Sequence, residues 1–254
     1  MIDTHAHLHD AKFDEDREAM IQRAREAGIE QMITVGCDLA DSKRALECAR
    51  SYALRASIGI HPHEAIDAPA DIENAFDAFF DPAFHLAVGE IGLDYYYDHS
   101  PRAVQRRVLR EQLSYAARKK VPTIFHQRDA FDDFVTELRA GFDPSFGGVV
   151  HCFTGDAEQA RLFVDEFGLR LGIGGVLTFK SAAPLREAVR AVGIDAVLLE
   201  TDCPYLAPVP MRGRRNEPAF MPHTAIRLAE LFAISLDEVV ARTDANARAL
   251  FPTL

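Results

Sequence analysis

Residues 85–126 read HLAVGEIGLDYYYDHSPRAVQRRVLREQLSYAARKKVPTIFH, and this stretch contains one complete strand–helix–strand unit. The apolar segments His85–Glu90 and Val121–His126 predict strands, and Ala103–Lys119 between them has the spacing and charge of a helix. Two strands joined through a helix predict a βαβ unit whose strands are parallel. Each of these two strands ends in a side chain that can bind a metal ion.

The same alternation continues along the whole chain. The predicted strands are Met1–His7, Gln31–Gly36, Arg55–His61, His85–Glu90, Val121–His126, Gly148–His151, Leu169–Gly174 and Ala196–Asp202. Helical patterns lie between them, and two more follow the eighth strand at Met221–Phe232 and Leu236–Leu250. Eight such units in about 250 residues favour a closed (β/α)8 TIM barrel over an open sheet. Because no linker or low-complexity tract interrupts the pattern, we predict a single domain over residues 1–254.

Composition and charge narrow the function classes. The chain has 48% apolar and 26% charged residues, an ordinary globular composition that excludes a disordered or collagen-like protein. Its formal net charge of −11 argues against broad, sequence-independent coating of nucleic acid, which requires a basic surface. A cleft that binds metal first, and a polyanion through the metal, is compatible with this charge.

Cysteine usage and the first residues bear on location. The four cysteines (Cys37, Cys48, Cys152 and Cys203) are sparse and have no CxxC spacing, which is typical of reduced thiols in a cytosolic protein. The chain opens without the pattern of a signal peptide and has no uninterrupted apolar run of membrane-spanning length. We therefore expect a cytoplasmic protein that does not bind membranes, and we infer no obligate protein partner.

The residues that indicate chemistry stand at the carboxyl ends of the predicted strands. They are His5 and His7 on the first strand, Glu90 on the fourth, His126 on the fifth, His151 on the sixth and Asp202 on the eighth. In a parallel barrel all these strand ends open on the same mouth. Alternation along the first strand places residues 3, 5 and 7 on one face, so Asp3 is expected to orient an imidazole from behind.

Four imidazoles and two carboxylates exceed the needs of one tetrahedral metal site, which predicts two divalent ions. Glu90 is the natural bridge because a carboxylate can hold two cations at once. Asp202 is expected to bind one ion and to accept the proton of a water whose pKa the metals bring near 7. Carboxylates and phosphate suit Mg²⁺, the ion we expect first, while the histidines also suit Mn²⁺ or Zn²⁺.

Each of these residues also has a plainer interpretation. A His-x-His pair can be polar lining, a histidine that closes an apolar strand is often a satisfied core residue, and a strand-end carboxylate is often a helix cap. The joint pattern favours metal binding, because so many charged groups converging on one apolar barrel are costly to bury without a metal or fixed partners.

Longer motifs show a resemblance to a known family. They include residues 2–8 (IDTHAHL), 59–63 (GIHPH), 88–95 (VGEIGLDY), 126–130 (HQRDA), 151–155 (HCFTG) and 200–206 (ETDCPYL). In this order, and continuing through residues 212–218 to the carboxyl-terminal region, they resemble the TatD family of metal-dependent deoxyribonucleases in the amidohydrolase-like barrel superfamily. The resemblance covers essentially the whole chain.

The resemblance implies hydrolysis of DNA phosphodiesters with divalent metal, as a 3′→5′ exonuclease acting on single strands or ends. The family's metal ligands match His5, His7, Glu90, His126, His151 and Asp202. Other branches of the superfamily use a carboxylated lysine as the metal bridge. The fourth strand here ends in Val88-Gly89-Glu90, without a lysine, which favours the TatD branch.

Three residues near the predicted mouth are candidates for phosphate contact. His61 and His63 follow the third strand, where either can contact a phosphate oxygen or serve as a loop cap. Arg128 comes two residues after His126, and its guanidinium can hold a phosphate through two hydrogen bonds. The alternative for Arg128 is a salt bridge to Asp129 or Asp132.

Aromatic side chains are available to stack on bases: Tyr95, Tyr96, Tyr97, Phe153, Phe179, Tyr205 and Phe220. Stacking tolerates any base sequence, and we expect at most two or three of these residues, including Tyr205, to contact substrate. The long loop after the eighth strand carries Arg212, Arg214 and Arg215, which form either a basic patch at the entry for a nucleic-acid strand or part of a solvated loop.

Two other functions are compatible with the same ligands. A metal pair polarises a carbonyl as readily as a phosphoryl group, so the substrate can instead be an ester or amide, such as an aminoacyl ester on tRNA. Cationic phosphate holders such as Arg128 discriminate between the two. A metal-binding scaffold in a repair or degradation complex is the third possibility, and the complete ligand set argues against it.

Overall fold

The computed structural model describes residues 1–254 and contains one eight-stranded sheet whose strand order follows the sequence from β1 to β8. The strands are β1 (Ile2–Ala6), β2 (Gln31–Thr34), β3 (Arg55–Ile58), β4 (His85–Asp94), β5 (Thr123–Arg128), β6 (Gly148–Val150), β7 (Arg170–Ile173) and β8 (Val197–Leu199). The pairs β3–β4, β4–β5, β5–β6 and β7–β8 are parallel.

Helices connect the strands. They are α1 (Arg17–Glu26), α2 (Leu39–Tyr52), α3 (Ile72–Asp77), α4 (Arg102–Lys119), α5 (Phe131–Gly141), α6 (Ala157–Arg161), which continues as a π-helical turn (Leu162–Glu166), α7 (Ala183–Val192), α8 (Met221–Phe232) and α9 (Leu236–Leu250). Eight parallel strands with helices between them confirm the predicted (β/α)8 TIM-barrel class. No helix combines the length and the apolar composition that a membrane crossing requires.

Each strand differs from its predicted bounds by at least one residue, and two of these differences bear on the candidate site. β4 was predicted to end at Glu90, but it runs on to Asp94, and Gly92 stands opposite His126 of β5. A Cβ on Gly92 would lie 1.8 Å from the His126 carbonyl oxygen, so glycine here permits close strand pairing. β8 ends at Leu199, because backbone amides after this residue donate hydrogen bonds to residues of β1. The Thr201 amide donates to Asp3, and the Asp202 amide donates to the His5 carbonyl.

The chain forms two compact units, residues 1–33 with 151–254, and residues 34–150. In the first unit, Asn246 of α9 donates to the carbonyl oxygens of Ile194 and Val197 at the start of β8. Asn216 donates to the Thr201 and Tyr205 carbonyl oxygens, and so holds the loop that follows β8. Buried amide side chains therefore position both ends of this strand.

In the second unit, two buried glutamines of α4 position the segments that follow β3 and end β4. Gln112 accepts from the Ile60 amide at 2.7 Å and donates to the Ile60 carbonyl at 3.0 Å. Gln105 accepts from the Asp94 amide and donates to the Asp94 and Ser100 carbonyl oxygens. Hydrogen bonds to buried groups are costly to lose, so these contacts hold the candidate site residues next to Ile60 and at Asp94 in place.

His85, at the start of β4, makes folding stability depend on pH. The side chain is 2% exposed and stacks on Phe80, and its Nδ1 accepts from the Asp81 amide. Burial lowers the pKa of His85 to about 4, from an ordinary value of 6.5. The folded state thus resists a proton that the unfolded chain takes up, and stability falls as the pH drops from 6.5 towards 4.

We expect His85→Asn to flatten this pH dependence, because Asn can still accept from the Asp81 amide but does not titrate. Between pH 7 and pH 5 the wild type should lose ~2 kcal/mol of unfolding free energy through this residue, and the variant should not. Urea titrations of both proteins at the two pH values measure the difference. Parallel losses in the two proteins would show that His85 does not cause the acid sensitivity.

Candidate metal centre

The first ligand group, group I, consists of His5, His151 and Asp202, whose ligand atoms lie within 4.8 Å of one another. The rings of His5 and His151 are stacked with centroids 3.8 Å apart. Asp202 Oδ1 lies 3.8 Å from His5 Nε2 and 3.5 Å from His7 Nε2. The structure thus brings together four of the predicted ligands, from β1 and from the segments that follow β6 and β8.

Asp3 differs from its predicted role. Its carboxylate accepts from the Thr201 hydroxyl at 2.6 Å and from the Thr201 and His5 amides, rather than from an imidazole. Burial raises the pKa of Asp3 to about 7, and these hydrogen bonds oppose that rise. Asp3 therefore ties the segment after β8 to β1, which positions His5 and Asp202 through the backbone.

Glu200 lies beneath His151 and is buried. Its Oε1 accepts from the Cys152 amide at 2.6 Å and lies 3.8 Å from His151 Nδ1. A Cβ on Gly172 of β7 would lie 2.1 Å from Glu200 Oε2, so this glycine leaves the space that the carboxyl group fills. Burial raises the pKa of Glu200 to about 8, and the nearby His151 opposes that rise.

Asp202 is ionised at neutral pH. Burial opposes its ionisation, but the contact with His7 and the nearby His151 and His5 outweigh burial and hold the pKa below its ordinary value. An ionised carboxylate beside three imidazoles suits a divalent cation, which prefers just such oxygen and nitrogen donors.

The second ligand group, group II, consists of His61, Glu90 and His126, again with ligand atoms within 4.8 Å of one another. Glu90 Oε1 lies 2.9 Å from His126 Nδ1 and 3.3 Å from His61 Nε2. Glu90 is fixed by its own amide, which donates to the Gly36 carbonyl at 2.9 Å. The predicted ligands Glu90 and His126 are therefore neighbours on adjacent strands.

Asp94 is a site residue that the sequence reasoning missed. Its Oδ2 lies 3.0 Å from His126 Nε2 and 2.9 Å from His63 Nε2. Burial opposes ionisation of Asp94, but hydrogen bonds from His126, the Tyr97 amide and His63 hold its pKa well below the ordinary range. His126 thus faces Glu90 with one nitrogen and Asp94 with the other, the pattern in which a carboxylate orients a metal-binding imidazole.

The His61 ring is arranged to donate a proton rather than to bind a cation. Its Nδ1 accepts from the His63 amide at 3.2 Å, which places the proton of the neutral ring on Nε2, facing Glu90. Burial lowers the pKa of His61 to about 4, so the ring is neutral at pH 7. The Nδ1 contact is the loop cap that was given above as the alternative for His61. Substrate contact through Nε2 stays a prediction.

The other predicted substrate residues lie at the surface. Arg128 is exposed, and its guanidinium lies 4.1 Å from the Tyr96 ring centroid and 4.9 Å from that of Tyr97, not against Asp129 or Asp132. Tyr205 is also exposed, and its ring lies 6.2 Å from His7 and beneath the Lys12 ammonium at 4.3 Å.

The three arginines of the predicted basic patch after β8 have different surroundings. Arg215 is paired with Asp16 through two hydrogen bonds of 2.7 Å, so its guanidinium anchors the loop and does not belong to a binding patch. Arg212 lies 3.9 Å from the Phe179 ring centroid, and Arg214 lies 5.7 Å from that of Phe220. Only the latter two fit a basic patch.

The chain is similar to known proteins along nearly its whole length. The family model described as TatD-related DNase matches residues 2–252. The metal-dependent hydrolase YabD of Bacillus subtilis is 39% identical over 252 residues, covering 99% of this chain and 98% of that protein. The 3′-5′ ssDNA/RNA exonuclease TatD of Erwinia amylovora is 36% identical over 258 residues, covering 99% of each chain.

A solved structure supports the same assignment. The crystal structure of the TatD homologue YjjV from Escherichia coli superposes with a TM-score of 0.89 at 32% identity, over 99% of this chain and 98% of that one. Both the sequence match and the barrel extend over nearly the whole chain. This chain therefore belongs to the TatD-related DNase family and is a metal-dependent hydrolase.

Proposed function

We propose that this protein is a cytoplasmic nuclease that removes nucleotides from the 3′ ends of single-stranded DNA with two divalent ions. We also propose that residues 1–254 act as one catalytic domain. The observation that supports two ions is the presence of two ligand groups, group I and group II, each of which contains carboxylate and imidazole donors. One metal ion needs only one such group.

The proposed assignment gives one ion to His5, His7, His151 and Asp202, and the other to Glu90 and His126. Glu90 is the proposed bridge, because strand ends in a (β/α)8 barrel open on the same face and a carboxylate has two oxygens to share. Mixed oxygen and nitrogen donors suit Mg²⁺ or Mn²⁺ with a phosphate substrate, and Zn²⁺ remains compatible with the histidines.

When bound, the metals would lower the pKa of water and neutralise charge that develops on the phosphoryl oxygens. The protein's own residues supply the other functions. Asp202 Oδ1 accepts the proton of the attacking water, which its lowered pKa permits at neutral pH. His61 donates from Nε2 to a substrate oxygen, and Asp94 keeps His63 and His126 in orientation.

The relatives and the exposed side chains of this protein support nucleic acid as the substrate. Curated relatives at 34–37% identity carry the name 3′-5′ ssDNA/RNA exonuclease. Arg128 offers a guanidinium for phosphate, and Tyr205 offers an exposed ring for a base. An ester or amide substrate requires neither group.

A time course on single-stranded DNA labelled at its 5′ end tests this function, with Mg²⁺, with Mn²⁺ and with EDTA. We expect a metal-dependent ladder that shortens one nucleotide at a time. Immediate release of the labelled mononucleotide would instead reverse the direction to 5′→3′. If the strand stays intact although the protein is shown to hold two metals, the proposal of an ester or amide hydrolase would replace that of a nuclease.

A further inference from the structure

Four side chains form an exposed surface beside group II. The reaction described above does not fully explain this surface. They are Tyr96, Tyr97 and His99, from the segment after β4, and Arg128 from the end of β5; we call this surface the aromatic platform. Tyr96 is 57% exposed and Tyr97 is 50% exposed. Large exposed aromatic side chains that lie together mark interaction sites more often than scattered ones do.

The platform is rigid at its base. Asp94 Oδ1 accepts from the amides of Tyr96 and Tyr97 at 3.0 and 2.9 Å, and Gln105 holds Asp94 in turn. The Tyr97 and His99 rings are stacked at 5.6 Å with an angle of 14° between their planes. The rings are therefore ordered before any ligand arrives, which reduces the entropy that binding would lose.

Arg128 is held in place without being neutralised. Its guanidinium carbon lies 4.1 Å from the Tyr96 ring centroid and 4.9 Å from that of Tyr97, and no carboxylate pairs with it. Arg106 and Arg110 in the same unit differ, because Glu137 pairs with both of their guanidinium groups. A guanidinium that no carboxylate neutralises keeps N–H donors that can bind a phosphate through two hydrogen bonds.

The platform adjoins the candidate catalytic residues. The His63 ring lies 5.3 Å from Tyr97, 4.7 Å from His99 and 6.1 Å from His126, measured between centroids. The same Asp94 carboxyl group orients His63 and His126 through Oδ2 and anchors the two tyrosine amides through Oδ1. A nucleotide next to the scissile phosphate thus falls within reach of the platform.

We propose that the aromatic platform is a subsite for one nucleotide of a single strand, in which Arg128 binds the phosphate and the exposed Tyr96 ring, supported by Tyr97, stacks on the base. This inference rests on the proposed nuclease function, and it adds the position at which the base is recognised. Stacking uses a face that every base has, so the subsite tolerates any sequence. It selects single strands, because stacking between neighbouring bases inside a duplex covers the base faces.

The test measures equilibrium binding of the full chain in EDTA, where turnover is absent. The probes are a fluorescein-labelled thymidine octanucleotide and a strand of equal length that lacks its bases, both followed by anisotropy. The variants are Tyr96→Ala/Tyr97→Ala and Arg128→Met. Tyr95→Phe is the matched control, because Tyr95 is the adjacent tyrosine but donates its hydroxyl to Asp133.

We expect the double tyrosine variant to bind the octanucleotide roughly 10-fold more weakly and the abasic strand with wild-type affinity, because only stacking is lost. Arg128→Met should weaken binding of both probes and reduce the salt slope by about 0.7, the value for one phosphate contact on a single strand. Tyr95→Phe should change neither affinity.

Two results would overturn the subsite. One is wild-type binding of both probes by the tyrosine variant, and the other is an equal loss on both probes, which would indicate a general structural defect. If either occurs while the wild type still shortens labelled DNA, the subsite fails and the nuclease function stands. If the wild type neither binds nor shortens single strands, both proposals fail.

Discussion

Replacement of Glu90 by glutamine is expected to reduce the turnover number on single-stranded DNA on the order of 10³-fold, because losing even the outer partner of a metal ligand typically costs about 10- to 100-fold. Glutamine keeps the size of the side chain and one carbonyl oxygen. It removes the negative charge that lies 2.9 Å from His126 Nδ1 and 3.3 Å from His61 Nε2. An amide offers only one oxygen, so it cannot serve as the proposed bridge.

The measurement is kcat at saturating Mn²⁺, together with the metal content of the purified protein. Glu137→Gln is the matched control, because Glu137 is equally buried and is paired with Arg106 and Arg110 on the surface of α4. It should lower Tm, since a buried ion pair is broken, and leave kcat within about twofold of wild type. Full activity in Glu90→Gln would remove the metal bridge from the mechanism.

Replacement of Asp202 by asparagine is expected to lower kcat by about 10²- to 10⁴-fold, the range for loss of a general base. Asparagine preserves the shape of the side chain but neither carries charge nor accepts a proton from water at neutral pH. Because Asp202 is ionised through its contacts with His7, His151 and His5, the variant also loses the charge that balances a cation in group I. KM should change much less than kcat.

Steady-state kinetics on a labelled strand separate kcat from KM for this variant. Asp244→Asn is its control, because the Asp244 Oδ1 that accepts from the Ile2 amide is retained as an amide oxygen. That variant loses the ion pair with the amino terminus, 3.5 Å away, and should lose some thermal stability but no activity. An Asp202→Asn protein with wild-type kcat would show that another group accepts the proton.

The candidate ligands could be picked out because the alternation of side chains along a strand is a local property of the sequence. His5 and His7 are two residues apart on a strand, so they share a face whatever the rest of the chain does. Glu90, His126 and Asp202 each follow a short apolar run, which is typical of a buried strand. The barrel class itself followed from the repeated alternation of such runs with helical patterns.

The role of Asp94 was not predictable in the same way. The fourth strand was predicted to end at Glu90, whereas β4 continues to Asp94, and Gly92 is required by the close approach of β5. Once β4 is known to continue, the four-residue spacing of Glu90 and Asp94 puts both on the face that meets His126. That spacing was the one sign in the sequence that Asp94 belongs to the site. It could be interpreted only once the length of β4 was known.

By itself, the sequence determined the (β/α)8 architecture, the histidines and carboxylates at the strand ends, and the resemblance to the TatD family. Only the tertiary structure decided which partner two polar groups take: Arg128 lies beside two tyrosines rather than an aspartate, and Asp3 binds Thr201 rather than an imidazole. These choices depend on hydrogen bonds and ring contacts between segments far apart in the chain. Such contacts exist only after folding has brought the segments together, so a local pattern cannot specify them.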